Sequence, residues 1–330
     1  MYSIFDSQCK RWNNFGNLRS VAVGAFQLLL GKGMGSCLGS ASDCARRRQI
    51  AATNNLASVF HDGHNQRSMA EPLKQSYESC RQIARRTAKN FYYSFLVMPR
   101  AKRDAMCAIY AFMRRSDDIA DNAANPAVAS EGLLKWRAQV DAALTRGEFA
   151  DPTFPALADT VKRYNIPLRH FHELLDGTEM DQRMTRYETF DDLYKYCYHV
   201  ASAVGLVVLP IFGYTDKAAF APAEACGIAF QLTNILRDVK EDAQMGRIYL
   251  PREDLRRFGV TEDDILNAAA NPSACRSEFH SRFVELMKFE AARAREYYRK
   301  AEPLLGMIYP DSRGTLAVMI GIYGGILRKI

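Results

Sequence analysis

The sequence predicts an all-α protein with a single helical domain over residues 71–330 and a central cavity between its helices. From about Pro72 onward, apolar residues recur every three or four positions, which is the spacing of one helix face. Runs of alternating β-branched residues, typical of strands, are few. Prolines divide this stretch at intervals that suit helix lengths, at positions 99, 126, 152, 155, 167, 210, 222, 251, 272, 303 and 310. No repeat period or long linker interrupts it, which favours one domain.

The composition limits the class of protein. The chain has 330 residues, of which 48% are hydrophobic, so it can bury a substantial core. Its 44 Lys and Arg against 37 Asp and Glu give a net charge of +7, spread along the chain, which argues against a nucleic-acid partner and suits an acidic small substrate. The eight cysteines lack the paired short spacings of a zinc site or a disulfide framework. This pattern predicts reduced thiols and a cytoplasmic location.

Residues 1–70 differ from the rest of the chain. They contain three acidic residues, a run of three arginines at 46–48, and scattered Gly, Ser and Asn, which predicts poor order. The apolar stretch 21–30 is shorter than the roughly 20 residues that a transmembrane helix needs. Three interpretations stay open: a dispensable extension, an organelle-targeting presequence, and a weak anchor to a membrane surface. We expect deletion of residues 1–70 to leave folding and activity nearly unchanged.

The first candidate site lies on a predicted helix at residues 102–121. Its core-facing stripe consists of Met106, Ile109, Met113 and Ala120. The neighbouring stripe, with steps of four, three and four residues, consists of Tyr110, Arg114, Asp117 and Asp121. Carboxylates at this spacing repel each other, and a bound divalent cation removes that penalty. A single acidic run of this kind is more often a solvated helix end than a metal site.

A second predicted helix, at residues 222–243, repeats the arrangement. Its core stripe consists of Ile228, Leu232, Ile235 and Val239. Beside it, steps of three, four and four residues give a stripe of Gln231, Asn234, Asp238 and Asp242. Two matched Asp-x-x-x-Asp pairs in a chain without duplication predict that the pairs face each other across a cavity. Such hard oxygen ligands suit Mg²⁺, which takes one or two carboxylates together with substrate phosphate oxygens.

A site of this kind can ionise an allylic diphosphate. Mg²⁺ between carboxylates and a diphosphate stabilises the negative charge that develops as the carbon–oxygen bond breaks. The remaining allylic cation reacts with water unless its cavity is dry and apolar, and aromatic faces stabilise it. We expect the cavity walls to include Phe91, Tyr92, Tyr93 and Phe95, then Tyr194, Tyr196 and Tyr198, and also Val200, Val204 and Leu206.

At these positions the sequence resembles the squalene and phytoene synthase family, over about residues 80–325. Asp-Asp-Ile-Ala-Asp at 117–121 is similar to the first aspartate-rich motif of that family, and Ala-Ile-Tyr-Ala-Phe-Met-Arg at 108–114 is similar to the segment that approaches the diphosphate. Gln-Leu-Thr-Asn-Ile-Leu-Arg-Asp-Val-Lys-Glu-Asp at 231–242, followed by Gly-Arg-Ile-Tyr-Leu-Pro at 246–251, is similar to the second motif and is highly specific. Residues 196–205 resemble the pocket helix of the family.

The resemblance implies an isoprenoid-synthase helical bundle that couples two identical prenyl diphosphates head to head through a cyclopropylcarbinyl diphosphate, in carotenoid or hopanoid biosynthesis. Farnesyl and geranylgeranyl diphosphate stay open as substrates, and presqualene diphosphate, squalene and phytoene as products. Mg²⁺ is the implied cofactor, with NADPH needed only for squalene. The implied Mg²⁺ ligands are Asp117, Asp121, Asp238 and Asp242. The residues implied to contact the diphosphate or to steer the cation are Tyr110, Arg114, Tyr196, Gln231, Asn234, Arg237, Arg247 and Tyr249.

Two features depart from the family pattern. Asn90 stands where members commonly carry Ser or Thr, which puts a hydroxyl contact to phosphate in doubt. The chain ends at Ile330, soon after Tyr323, and we expect a less completely closed cavity as a result.

Other functions are weighed against this one. A head-to-tail prenyl elongase carries two Asp-Asp-x-x-Asp motifs and a terpene cyclase an Asn/Ser/Glu metal motif, and the segment around Asp238 matches neither. A non-catalytic relative acting as an assembly or binding factor remains the alternative from another class, although such relatives usually lose metal aspartates. Peripheral contact with a membrane, for release of a lipid product, also stays open.

Overall fold

The computed structural model describes residues 63–271 and 277–330, without the side chains of residues 63–70, 89–91 and 277. Within these ranges the chain is helical and forms no strand; an isolated antiparallel bridge joins Tyr214 to Ile308. The prediction of an all-α fold is confirmed. Residues 1–62 of the proposed extension lie outside the description, and the first helix begins at Gly63, within the range 1–70.

The helices in chain order are α1 (Gly63–Thr87), α2 (Lys89–Phe95), α3 (Arg100–Asp121), α4 (Pro126–Arg146), α5 (Phe154–Tyr164), α6 (Leu168–Arg183), α7 (Phe190–Cys197), α8 (Ala203–Phe212), α9 (Phe220–Gln244), α10 (Arg252–Arg257), α11 (Glu262–Ala270), α12 (Ser277–Ala301), α13 (Leu304–Met307) and α14 (Pro310–Leu327). A π-helical segment, Tyr198–Ser202, joins α7 to α8.

Helix α3 is the central helix of the first half of the domain. It begins after Pro99, whose fixed backbone leads into the first turn, and ends at Asp121, close to the predicted range 102–121. It packs against α1, α4, α5, α6 and α8. Its predicted core stripe is buried throughout, from Met106 to Ala120. This packing fixes the orientation of the neighbouring polar stripe.

Helix α9 has the same role in the second half. It spans Phe220–Gln244, against a predicted range of 222–243, and packs on α8, α11, α12 and α14. Ile228, Leu232 and Ile235 of its predicted core stripe are buried, and Val239 is half-buried. The chain leaves α9 through Gly246, whose φ of 75° lies in the left-handed region that favours glycine.

Helices α7 and α8 form one continuous helix through the π segment. Thr189 begins it with a capping box to Asp192. Two glycines allow neighbouring helices to approach the π segment: a Cβ on Gly227 would lie 2.5 Å from Cα of Ser202, and one on Gly177 would lie 2.9 Å from the carbonyl carbon of His199. In the described ranges, Phe190–Phe212 is the one helix long and apolar enough to cross a membrane, but 56% of its apolar window is buried inside the protein. We interpret it as a core helix.

Candidate active site

The carboxylates of α3 lie in its last turns. Asp117 is buried and Asp121 is half-buried. Burial, and then the charge of Asp121, raise the pKa of Asp117 well above its ordinary value, and burial raises the pKa of Asp121 to about 6. Oδ2 of Asp117 is buried with no hydrogen-bond partner in the described part of the chain, whereas Arg114 pairs with Asp118. A cation at Asp117 would therefore relieve an unfavourable buried charge.

The polar stripe of α9 offers both oxygen ligands and a buried cation. Asn234 donates to Oε1 of Gln231 at 3.4 Å, and its own Oδ1 is buried without a partner among the described residues. Arg237 donates from two nitrogens to the carboxylate of Asp238 at 2.7 and 2.6 Å. Its remaining terminal nitrogen is buried and has no hydrogen-bond partner in the same ranges. Asp242 is half-buried one turn beyond Asp238. The helix thus presents ligands for a cation and a donor for an anion.

Asp181, near the end of α6, bonds to three of the predicted site residues, although no sequence pattern indicated it. Its Oδ1 accepts hydrogen bonds from the hydroxyls of Tyr196 at 2.8 Å and Tyr249 at 3.0 Å. Arg247 donates to its Oδ2 at 3.3 Å and to its backbone carbonyl at 3.0 Å. A buried carboxylate with three charge-assisted contacts holds all of these donors in a fixed geometry. Tyr196, Arg247 and Tyr249, which were predicted as site residues, therefore meet at one acceptor.

Three tyrosine rings surround this carboxylate. The ring of Tyr187 lies 5.4 Å from that of Tyr196 and 5.7 Å from that of Tyr249, and the latter two are 5.3 Å apart. Burial is the main cause that raises the pKa of all three hydroxyls above the ordinary tyrosine value. The phenols thus stay neutral and offer ring faces that attract a cation. Tyr187 was also missed, because a tyrosine outside a helical stripe carries no periodic signal.

Both polar helices carry carboxylates close enough to this centre to interact with it electrostatically. The charge of Asp181 raises the pKa of both Asp117 and Asp121, and the charge of Asp242 raises that of Tyr249. The described residues nevertheless contain no group of three His, Cys, Asp or Glu side chains close enough to hold a metal alone. That the two pairs face each other across the cavity stays a prediction.

An apolar cavity extends from the carboxylates into the core. It holds about 800 Å³ of empty space, part of it open to solvent. The two polar helices both line it, with Tyr110 and Met113 on α3 and Gly227 and Phe230 on α9; α2, the π segment, α8, α13 and α14 complete the wall. Asp117 is one helical turn beyond Met113, and Asn234 one turn beyond Phe230. Asp117 also lines a smaller pocket that shares Met113 and Val204 with this cavity, so the carboxylate of α3 stands at one end of the apolar chamber.

Most predicted wall residues do not line this chamber. Phe95 and Val204 do. Tyr196 belongs to the tyrosine group around Asp181, and the prediction for Tyr93 was wrong, because its side chain is 67% exposed. The side chains of Asn90 and Phe91 lie outside the described residues. Tyr323 of α14 is buried, and its ring stacks on that of Phe230 at 4.3 Å, which packs α14 against the cavity wall.

These residues fit Mg²⁺. The buried oxygens of Asp117 and Asn234 without partners among the described residues are hard donors of the kind that Mg²⁺ prefers, and a cation beside Asp117 would oppose the rise in its pKa that burial causes. An incomplete protein ligand set also suits Mg²⁺, which keeps water and substrate phosphate oxygens among its ligands.

Comparison with known proteins decides the family. The model of the squalene/phytoene synthase family matches residues 84–330. The chain belongs to the squalene/phytoene synthase family. Among curated relatives, the 15-cis-phytoene synthase of Synechococcus elongatus is 39% identical over 270 residues, which cover 78% of this chain and 84% of that protein. The phytoene synthase of Arthrospira platensis is 40% identical over 268 residues, covering 77% and 84%.

Solved structures of the squalene/phytoene synthase family share the fold. A dehydrosqualene synthase in complex with a ligand is 32% identical, with a TM-score of 0.68 over 79% of this chain and 89% of that one. The squalene synthase HpnC from Alicyclobacillus acidocaldarius is 31% identical, also with a TM-score of 0.68, over 78% and 95%. The family and the isoprenoid-synthase fold predicted from the two motifs are confirmed. The role of each site residue remains a prediction.

Proposed function

We propose that this protein condenses two molecules of geranylgeranyl diphosphate head to head to give phytoene, in a reaction that requires Mg²⁺. The observation that carries the proposal is that α3 and α9 line one apolar cavity and both continue from it into their aspartates. Diphosphate chemistry thus has a place next to a chamber for long apolar chains. The relatives named phytoene synthase, at 39% and 40% identity, favour the C20 substrate over the C15 one.

Binding of the diphosphate is the first task of the polar stripes. Bound Mg²⁺ would neutralise the charge that develops on the leaving oxygen. Asp117 and Asp121 of α3 and Asp238 and Asp242 of α9 would hold the ions. The buried terminal nitrogen of Arg237 is placed to donate to a phosphate oxygen as soon as one enters.

The coupling then proceeds in two halves. In the first, one carbon–oxygen bond breaks, the allylic cation adds to the double bond of the second molecule, and loss of a proton closes a cyclopropylcarbinyl diphosphate. In the second, the remaining carbon–oxygen bond breaks, the ring rearranges, and loss of a second proton gives the triene centre of phytoene. Two diphosphates leave and no hydride is consumed, so the reaction needs no NADPH. Squalene, by contrast, would require hydride from a reductant.

The chain itself protects and steers the cation. The cavity wall is almost entirely apolar, which excludes water from the reacting carbons. The ring faces of Tyr187, Tyr196 and Tyr249, held by Asp181, stabilise positive charge near the carboxylates. Cation stabilisation by one such ring contributes about 0.5–2 kcal/mol.

The compartment is inferred from the thiols. Cys80, Cys107, Cys197 and Cys226 are buried and free, which suits a reducing compartment. Other relatives are named chloroplastic. One of them, phytoene synthase 1 of Arabidopsis thaliana, is 36% identical, and the match covers 60% of its length. Organelle targeting by residues 1–70 stays a prediction.

The test is to supply the purified protein with farnesyl or geranylgeranyl diphosphate, with Mg²⁺ or chelator, and with or without NADPH. We expect phytoene from the C20 substrate only with Mg²⁺, and no effect of NADPH, in extracts identified by mass spectrometry. Preferential coupling of farnesyl diphosphate, or a hydrocarbon that appears only with NADPH, would contradict the proposal. Lack of any product from either substrate would favour the non-catalytic alternative.

A further inference from the structure

Large apolar side chains are exposed on α2, in the turn after it, and just before α14. Tyr93, Leu96 and Val97, in α2 and the turn after it, are 67%, 42% and 52% exposed, and Tyr309, just before α14, is 48% exposed. We call these four residues the α2–α14 surface. Exposed apolar side chains that cluster in this way mark a binding surface more often than scattered ones do.

This surface is part of the folded domain. The hydroxyl of Thr315 on α14 donates to the carbonyl of Ser94 on α2 at 3.0 Å. Cγ2 of Val97 lies 4.0 Å from the position that a Cβ on Gly314 would take. Because the two helices are tied together at these points, their exposed side chains belong to one fixed face.

The same two helices separate the apolar cavity from the outside. Phe95 lines the cavity, while Leu96, the next residue, is exposed. On α14, Leu316 and Met319 line the cavity, whereas Gly314, two residues before Leu316, is exposed beside Val97. The α2–α14 surface is therefore the outer side of the cavity wall.

Positive charge accompanies the apolar side chains. The side chain of Arg100 is 80% exposed, and the nearby carboxylate of Asp104 is bonded more closely by Arg81, at 2.9 Å. Arg313 is exposed and donates to the neutral carbonyls of Ile308 and Gly306. Arginines beside exposed tyrosine and aliphatic side chains are typical of proteins that bind the interface of an anionic bilayer.

We propose that the α2–α14 surface docks on a lipid bilayer with anionic headgroups, and that the hydrocarbon product leaves the cavity between α2 and α14 into that bilayer. The release step rests on the proposed function, because it needs an apolar product with almost no solubility in water. The docking itself needs no catalysis. The short distance between cavity wall and surface gives the product a route that avoids water.

The docking test uses the full chain and vesicles, without substrate. The surface variant carries Tyr93→Ser, Leu96→Ser and Val97→Ser. The matched control carries Val128→Ser and Leu134→Ser on α4, whose side chains are 48% and 63% exposed. We expect co-sedimentation with phosphatidylglycerol-containing vesicles to weaken about tenfold for the surface variant and to stay unchanged for the control. Melting temperatures of both variants, compared with the parent, verify that the fold is intact.

A second variant tests the charge. The double variant Arg100→Gln, Arg313→Gln should bind more weakly to phosphatidylglycerol-containing vesicles and equally well to phosphatidylcholine vesicles. High salt should weaken binding of the parent to the phosphatidylglycerol-containing vesicles in the same way. Equal binding of parent and surface variant would overturn the proposal and assign any membrane contact to another part of the chain. If the parent did not bind vesicles but self-associated, and the surface variant no longer self-associated, the proposal would be overturned in favour of a protein partner.

The outcomes separate docking from catalysis. Vesicle binding through this surface by a protein that makes no phytoene would leave the docking in place and contradict the proposed function. For an active protein, we expect the surface variant to retain the rate of its first turnover and to lose steady-state turnover on vesicles, with detergent micelles restoring it. Unchanged steady-state turnover of the surface variant on vesicles would contradict the release route.

Discussion

The hydroxyl of Tyr249 donates to Oδ1 of Asp181 at 3.0 Å, and this bond joins the loop after α9 to the end of α6. Tyr196 donates to the same oxygen, and Arg247 to the other. Since the charge of Asp181 also acts on Asp117, this carboxylate connects both polar helices. Asp181 is therefore placed to position Arg247 and the two tyrosines, Tyr196 and Tyr249, to which the proposed function assigns the cation.

Replacement of Asp181 by Ala should lower kcat about a hundredfold, because two phenols and one guanidinium lose their common acceptor. The free energy of unfolding should fall by about 3 kcal/mol, as expected when one partner of a buried ionic network is removed. The kcat of Asp181→Asn, which retains an acceptor oxygen, should lie between that of Asp181→Ala and that of the parent. Steady-state kinetics and urea unfolding measure both effects.

The matched control for this prediction is Asp176→Asn on the same helix. Asp176 is half exposed and pairs with Arg137, away from the tyrosines. It should leave kcat unchanged. If Asp181→Ala lost the expected stability but kept the kcat of the parent, Asp181 would have a purely structural role.

Asp117→Asn should abolish turnover and raise stability in metal-free buffer. The pKa of Asp117 is raised in the folded state, so its ionised form is unfavourable there, and its contribution to stability falls as the pH rises above the ordinary carboxyl value. At neutral pH we expect a melting temperature about 2–4 °C higher, the effect of about 1 kcal/mol in a domain of this size.

A binding experiment with Mg²⁺ and inorganic diphosphate distinguishes the role of Asp117 in metal binding from its effect on the stability of the metal-free protein. Mg²⁺ added together with diphosphate should raise the melting temperature of the parent, but not that of Asp117→Asn. The control Asp263→Asn, which changes an exposed carboxylate, should show the same rise as the parent. Chelator should abolish the parent's shift and its turnover. A parent melting temperature that is indifferent to Mg²⁺ with diphosphate would contradict the proposed metal site.

The polar helices could be predicted from sequence because their signals are local. The apolar stripes and the proline positions placed α3 within two residues of its observed start, and the matched spacing of Asp117 with Asp121 and of Asp238 with Asp242 identified the carboxylates. Helical periodicity depends only on residues a few positions apart. The bounds of these helices therefore needed no tertiary information.

Asp181 and Tyr93 show where local signals end. Asp181 is one of four acidic residues on α6, without a partner at metal-ligand spacing that marks it out, and its role comes from tyrosines 15 and 68 positions away in the chain. Tyr93 lies in a run of aromatic residues that predicts a cavity wall, but α2 has seven residues and directs Phe95 inward instead. Which residue of an aromatic run faces the core depends on tertiary packing.

Gly227→Ala should strongly destabilise the fold. A Cβ at this position would lie 2.5 Å from Cα of Ser202, so backbone rather than a flexible side chain must move. Overpacking of this kind costs about 1–3 kcal/mol, and displacement of the π segment should also reduce activity. Gly321→Ala in α14, with nothing within 4 Å of the added carbon, should instead be neutral or stabilise by up to about 1 kcal/mol. Comparable urea midpoints for the two variants would contradict the packing argument.

Glu290 makes stability depend on pH outside the candidate site. It is buried on α12, where it shares Arg293 with Asp254 of α10, at 2.7 and 2.8 Å. Its Oε1 is buried and has no hydrogen-bond partner among the described residues. Burial is the main cause that raises the pKa of Glu290 to about 7; Arg293 lowers it and the charge of Asp254 raises it further.

The raised pKa fixes the sign of the effect. Between the ordinary value of 4.5 and about 7, the folded state binds more protons than the unfolded one, so stability falls as the pH rises through this window. The loss from this group should reach about 3 kcal/mol by pH 8. The side chain of Glu290→Gln cannot ionise, so the free energy of unfolding of this variant should match that of the parent near pH 5 and exceed it increasingly toward pH 8.

The control, Glu285→Gln, removes an exposed carboxylate of the same helix, and its free energy of unfolding should follow that of the parent throughout. Urea unfolding at a series of pH values measures the difference, and parallel curves for Glu290→Gln and the parent would show that Glu290 is ionised in the folded protein across this range.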